Sequence, residues 1–205
     1  MLYDIVNQTE VFEKKNYDED NSEGDKSEMM ESNLKKTSVT VLTAMMMCII
    51  MVAIFVLRIP IPFTQGYVNL SDGIIFIAIG LLDKKHSVAA ASLGSMMGDI
   101  IGGFAMWAPW TFFIKGGMTL ITVLIMDAFA QKKLSARAKT ASRIFAMTCG
   151  GFFMVFGYFI AEKVMYGTWA VAALGVPWNI GQFAVGIALA MVITSALNKV
   201  GIGRK

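Results

Sequence analysis

The chain has 205 residues, 56% of them hydrophobic and 16% charged, with a net charge of +3, two cysteines and one histidine. That balance suits one apolar domain and gives no reason to expect a nucleic-acid partner. Cys48 and Cys149 lie inside apolar stretches with no CxxC or His/Cys cluster nearby, so neither a disulfide framework nor a metal site is expected.

The net charge hides a split: residues 1–37 hold ten carboxylates against five lysines, and the rest holds thirteen basic residues against five acidic ones. The first 37 residues have too little apolar surface to offset the entropy of ordering, so a disordered acidic cytoplasmic tail is expected there. They show no secretory-signal pattern of a basic start, an apolar run and a small-residue cleavage site.

Six apolar stretches follow, at 38–57, 66–82, 86–106, 109–128, 142–163 and 176–197. Each is close to the ~20 residues that a helix needs to cross a ~30 Å hydrocarbon core. The fold expected is an all-α membrane protein, a bundle of six transmembrane helices over residues 38–198 with a basic cytoplasmic C-terminus at 199–205. Lys35 and Lys36 precede the first stretch, Lys84 and Lys85 follow the second, and Lys132, Lys133, Arg137, Lys139 and Arg143 follow the fourth. The segments around 58–68, 104–110 and 164–178 carry Arg58 as their only basic residue. The positive-inside rule then puts both termini in the cytoplasm. Tyr67, Trp107, Trp110, Tyr166, Trp169 and Trp178 gather at the opposite interface, where amphipathic rings are favoured.

Ionisable groups inside a bilayer are costly, about 2.5–3.5 kcal/mol each on insertion scales, and so point to function. Asp99, counted at ~1.5 Å per residue from His86, reaches the outer third of the third helix. Lys115 lies below Trp110 on the fourth; Asn69 and Asp72 open the second, Glu162 ends the fifth, and Asn179 and Gln182 open the sixth. Ser92, Ser95 and Asp99 share one helical face, as do Thr111, Lys115 and Thr119. The pattern describes an outward-facing polar pocket under an aromatic rim. Taken singly, the same residues also fit a structural ion pair of Asp99 with Lys115, interfacial carboxylates at Asp72 and Glu162, or hydrogen-bonding glue between helices. Ala90, Gly94, Gly98 and Gly102 form a small-residue ridge that allows close helix approach.

The segments Tyr67-Val68-Asn69-Leu70-Ser71-Asp72-Gly73 and Trp107-Ala108-Pro109-Trp110-Thr111-Phe112-Phe113-Ile114-Lys115-Gly116, with the Gly-rich 94–103 region between them, carry a resemblance. Over residues 38–198 the chain resembles the substrate-binding S components of energy-coupling factor (ECF) vitamin transporters, in the branch related to riboflavin-type proteins. The resemblance implies a multi-pass subunit of a prokaryotic cell membrane. It would capture a vitamin from outside and deliver it through a membrane coupling subunit driven by two cytoplasmic ATPases. It needs no cofactor and is not an enzyme; the absence of GxxxxGK[ST] agrees with a borrowed ATPase. By position it implies a substrate site of Asn69, Asp72, Asp99, Trp107, Lys115, Glu162, Trp169, Asn179 and Gln182. Docking to the coupling subunit would use the small face Thr40, Ala44 and Cys48, which departs from the Ala-xxx-Ala pairs of that family.

Carboxylates, amides, a lysine and indoles together suit a small hydroxylated heteroaromatic, of the pyridoxine (vitamin B6) or hydroxymethylpyrimidine class, with riboflavin as the larger alternative. A proton-coupled secondary transporter acting alone is the rival reading, with Asp99 and Lys115 as relay, although no inverted repeat is visible. An intramembrane aspartyl protease fails its GxGD signature, since Met96 stands where the first glycine belongs.

Overall fold

The computed structural model describes residues 2–61 and 66–199. It divides into two compact units, Met1–Val41 and Leu42–Lys205. Six helices and one hairpin follow in order: α1 (Leu2–Val56), β1 (Arg58–Pro60), β2 (Tyr67–Asn69), α2 (Ser71–Leu81), α3 (Lys84–Ile101), α4 (Ala108–Ala130), α5 (Ala136–Tyr166) and α6 (Trp169–Lys199).

Helix α1 begins at Leu2, so residues 2–37 are helical where the composition argues for irregular chain. No proline interrupts them, Glu, Lys and Met favour helix, and an exposed Glu31–Lys35 pair at 2.6 Å supports the i,i+4 geometry. Of the expected basic C-terminus, residues 200–205 lie outside the described part of the chain.

Among the described residues, four helical segments are long and apolar enough to cross a membrane: Met29–Val56, Ala108–Ala130, Ala136–Tyr166 and Trp169–Leu197. The second expected span, 66–82, is different. Its first residues form β2, and α2 has only 11 residues, or ~16 Å of helix. Helix α3 has 18 residues and begins on Lys84-Lys85-His86. Helices α5 and α6, at 31 residues each, extend beyond the stretches 142–163 and 176–197 into segments expected as loops, and Pro177 lies inside α6. A proline there has no N–H to give the carbonyl four residues earlier, that of Ala173.

Local chemistry explains the boundaries. Asp83 caps α3 by accepting from the His86 N–H at 3.0 Å, and that N–H holds the Asp83 carboxyl below its ordinary range. Ser135 caps α5 by accepting from the Ala138 N–H at 3.3 Å. Helix α5 ends on Gly167, whose φ of 77° suits glycine at a left-handed C-cap, and Lys163 donates to the Gly167 carbonyl at 2.5 Å.

Strands β1 and β2 pair antiparallel, with Arg58 opposite Asn69, Ile59 opposite Val68 and Pro60 opposite Tyr67. Such a hairpin has two open edges, which a hydrocarbon environment does not tolerate. It therefore belongs over one end of the bundle. A cation–π cage holds it there: the Arg58 guanidinium lies 4.5 Å from the centre of the Tyr67 ring, 4.9 Å from Phe104 and 5.1 Å from Phe55, and it donates to the Gly102 carbonyl at 3.3 Å.

The core of the second unit packs Ile50 of α1, Ile75 and Phe76 of α2, Ala90 and Ala91 of α3, Met118 of α4 and Met154 of α5. The small ridge of α3 is internal. A Cβ on Gly94 would stand 3.0 Å from the Met47 carbonyl oxygen, and one on Gly98 would stand 2.5 Å from the Ile54 side chain, so α1 approaches α3 there closely. Thr43, Met46, Ile50 and Ile54 form the buried face of α1, while Thr40, Ala44 and Cys48 are exposed on another.

Candidate functional site

A cleft lies at the hairpin end of the bundle, with a cavity volume of about 30 Å³, or about 450 Å³ when all the space open to solvent is counted. It is lined by Asn69 and Ser71 at the entry to α2, Ser95 and Asp99 of α3, Trp107, Thr111 and Lys115 at the start of α4, Tyr158 and Glu162 of α5, and Asn179 and Gln182 of α6, with Tyr67 of the hairpin above. Of the residues expected from the sequence, Asn69, Asp99, Trp107, Lys115, Glu162, Asn179 and Gln182 therefore meet in one place.

Asp72 stands directly behind the lining and organises it. Its carboxylate is fully buried, forms an ion pair with Lys115 and accepts from the Gln182 side-chain amide at 2.8 Å. The alternative of an Asp99–Lys115 pair is thus replaced by Asp72–Lys115. The pairing follows from the shortness of α2, whose first turn meets α4 beside Lys115; a carboxylate there also suits the positive end of the helix dipole. Lys115 further donates to the Met154 sulfur at 3.1 Å, and its ammonium lies 5.7 Å from the centre of the Tyr158 ring. Asp99 instead accepts from the Tyr67 hydroxyl.

Gln182 links three elements. Its carbonyl accepts from the Asn69 N–H at 2.8 Å while its amide serves Asp72, so α6 holds both the end of β2 and the start of α2. Asn69 in turn accepts from the Ser71 N–H at 2.8 Å. On the other wall, Glu162 is 2% exposed and faces Gly175 of α6, where a Cβ would come within 2.5 Å of its carboxylate. Any larger residue at Gly175 would force that carboxylate to move.

Two indoles part company. Trp107 is buried, with its ring centre 6.1 Å from that of Tyr158 and 6.4 Å from that of Tyr166, so it is a wall of the cleft rather than a rim residue. Trp169 is 53% exposed, stacks at 5.1 Å on Phe159 and lies under Lys163; it is not among the cleft residues. Trp178 is also exposed. Tyr67, Ser71, Ser95, Thr111 and Tyr158 also line the cleft, outside the substrate set that the resemblance implies. The signal for three of them was helical spacing: Ser95 and Thr111 stand four residues before Asp99 and Lys115, and Tyr158 stands four before Glu162.

Several buried polar atoms of the lining have no hydrogen-bond partner among the described residues: the hydroxyls of Ser71 and Ser95, the indole N–H of Trp107 and one oxygen of Glu162. Buried polar groups are nearly always satisfied, and each one left unpaired costs about 1–3 kcal/mol. Trp107 needs an acceptor, Glu162 needs a donor, and the serines take either. A solute with both kinds of group, flat enough to lie against Trp107 and Tyr158, complements the cleft.

The chain is similar to an uncharacterised protein of Pyrococcus woesei, 32% identical over 118 residues that cover 58% of this chain and 74% of that protein. It is also similar to the thiamine precursor transporter HmpT of Lactococcus lactis, 28% identical over 144 residues, 70% of this chain and 77% of the relative. Its fold matches the solved structure of the S component of a bacterial ECF transporter with a TM-score of 0.62 at 17% identity, covering 80% of this chain and 98% of that one. Residues 34–199 match the family of ECF-type riboflavin transporter S components, and the chain belongs to that membrane-embedded family of vitamin transporters.

Proposed function

We propose that this S component captures a monocyclic heteroaromatic vitamin or vitamin precursor, of the hydroxymethylpyrimidine or pyridoxine class, in the cleft under the hairpin. The observation that carries the reading is the set of unpartnered donors and acceptors around Trp107 and Glu162. An aminopyrimidine offers an exocyclic amine and a hydroxyl to Glu162 and the serines, and a ring nitrogen to the Trp107 N–H. The enclosed volume of the cleft, about 30 Å³, favours a small ring over a three-ring flavin. The likeness to a thiamine precursor transporter points the same way; the family's riboflavin name keeps riboflavin as the second candidate.

Titration calorimetry on the purified chain tests this directly, with hydroxymethylpyrimidine, pyridoxine and riboflavin in parallel. One of the single-ring ligands is expected to bind most tightly, and Glu162→Gln is expected to weaken it about 10- to 150-fold, corresponding to ~1.5–3 kcal/mol for a hydrogen bond to a charged group. Tightest binding of riboflavin would transfer the site to the larger ligand. Binding of none of the three would remove the vitamin reading.

The cleft end of the bundle faces outward in this proposal, with both termini and the α4–α5 connection in the cytoplasm, as the distribution of basic residues argues. In a variant cleared of Cys48 and Cys149, an impermeant thiol reagent applied to intact cells is expected to label a cysteine at Thr168 and spare one at Ser135. The reverse pattern inverts the topology.

Transport is proposed to require a membrane coupling subunit and two cytoplasmic ATPases, docked through the exposed Thr40, Ala44 and Cys48 face of α1. Ala44→Trp overpacks a helix contact without touching the cleft, so vitamin affinity is expected to stay within about twofold while ATP-dependent uptake in reconstituted vesicles is lost. Uptake by the chain alone under a proton gradient would favour a secondary transporter instead.

A further inference from the structure

A second cavity lies at the other end of the bundle, where the function proposed above needs nothing. It has a volume of about 310 Å³ and is set between the C-terminal halves of α2, α4 and α6 and the start of α5. Its walls are apolar: Phe76, Ile77 and Ile79 of α2, Val123 and Met126 of α4, Met147 of α5 and Leu197 of α6 line it. Its mouth is not. Lys139, Ser142 and Arg143 of α5 stand there with Asp127 of α4, two positive charges against one negative. Arg143 is half-buried, yet its guanidinium makes no hydrogen bond or ion pair among the described residues.

The shape has a simple origin. Helix α2 stops at Leu81, whereas α4 continues to Ala130, and α5 and α6 are 31 residues each. At Gly80, in the last turn of α2, a Cβ would meet nothing within 4 Å, so the wall is open there rather than merely loosely packed. A hydrocarbon-lined cavity of this size in a membrane protein, with a poorly neutralised guanidinium at its mouth, calls for an amphiphile. The apolar part requires a chain, and the basic part requires an anion.

We propose that this cavity binds an anionic glycerophospholipid of the surrounding bilayer, with one acyl chain between α2, α4 and α6 and the phosphate on Arg143 and Lys139. Asp127 does not oppose this. Beside the phosphate it accepts hydrogen bonds from a hydroxylated headgroup such as that of phosphatidylglycerol, and Ser142 offers a second polar contact. The neighbouring Lys132, Lys133 and Arg137 raise the local concentration of anionic lipid without lining the cavity. The lipid would fill the space that the short α2 leaves and brace α4, α5 and α6 against one another.

Native mass spectrometry of the full, delipidated chain tests the proposal, with phosphatidylglycerol, phosphatidylethanolamine, phosphatidylcholine and free glycerol phosphate as probes. Phosphatidylglycerol is expected to bind with one site and at least about fivefold preference over phosphatidylcholine. Arg143→Gln is expected to erase the preference, and Gly80→Phe, which fills the open wall, is expected to abolish binding of every lipid at that site. Neither residue touches the cleft, so retained vitamin binding shows that both variants are folded. Equal binding of the anionic and zwitterionic lipids overturns the proposal, as does unchanged phosphatidylglycerol binding in either variant. Displacement by glycerol phosphate at similar concentration would make it a soluble-anion site, and preference for phosphatidylethanolamine would make Asp127 the recognising group; both outcomes overturn the assignment.

Discussion

Lys115→Met is expected to destabilise the protein by about 3–5 kcal/mol, because it leaves the fully buried Asp72 carboxylate without its counter-charge. The cost lies in the survivor. Taking a carboxylate out of water is tolerable only while an opposite charge and hydrogen bonds compensate it, and Gln182 alone supplies one of the two. Adding Asp72→Asn to Lys115→Met removes the orphaned charge and is expected to restore most of the loss, since a neutral amide still pairs with Gln182. Thermal unfolding of the purified chain in one detergent, run for the wild type, both single variants and the double variant, measures the coupling. A Lys115→Met midpoint equal to wild type would mean that water reaches Asp72.

Gln182→Met keeps the length of the side chain and deletes its hydrogen bonds to Asn69, Asp72 and the Met154 sulfur, so the Asn69 N–H and one Asp72 oxygen lose their partners together. Ligand affinity is expected to fall about 5- to 150-fold, the equivalent of ~1–3 kcal/mol. The residue acts through position as much as contact, because the same amide sets where the hairpin meets α2. Asn179→Ala, which removes a buried amide from the lining away from the bonds that Gln182 makes to the hairpin, is expected to weaken binding by a similar factor with less effect on unfolding. Calorimetry combined with thermal unfolding separates the two variants; unchanged affinity in both, with intact fold, would take α6 out of the site.

The helical class was legible because long apolar runs admit few other structures in a bilayer; the six helices are there, but only four of the described helical segments have the length and apolarity of the spans expected. The depth at which polar residues converge was legible too. Counting along α3, α4 and α5 brought Asp99, Lys115 and Glu162 to one level before any contact was known. Two errors share a cause. The segment 66–82 has the length and apolarity of a span, but Tyr67-Val68-Asn69 is extended and pairs with Arg58-Ile59-Pro60. Three residues per strand are too few for an alternating pattern to show. Once the hairpin is missed, α2 becomes too long, Asp72 seems to sit at the surface, and Lys115 is assigned to Asp99. The tryptophans failed for another reason. Composition places Trp107 and Trp169 in the same interfacial belt, and only the turn of α4 and the Phe159 stack decide that one faces inward and the other outward.

Helix α2 covers ~16 Å with its 11 residues, about half of a ~30 Å hydrocarbon core, and Lys84 and Lys85 anchor its far end at a headgroup layer. The Asp72–Lys115 pair at its near end is therefore only ~16 Å from that layer, and the longer α4, α5 and α6 must wall the cleft off from lipid above it. Irregular backbone at membrane depth is tolerated only where protein encloses it, so the short α2 turns the cleft into a protein-lined well, open at one end and floored at the other by a single buried ion pair.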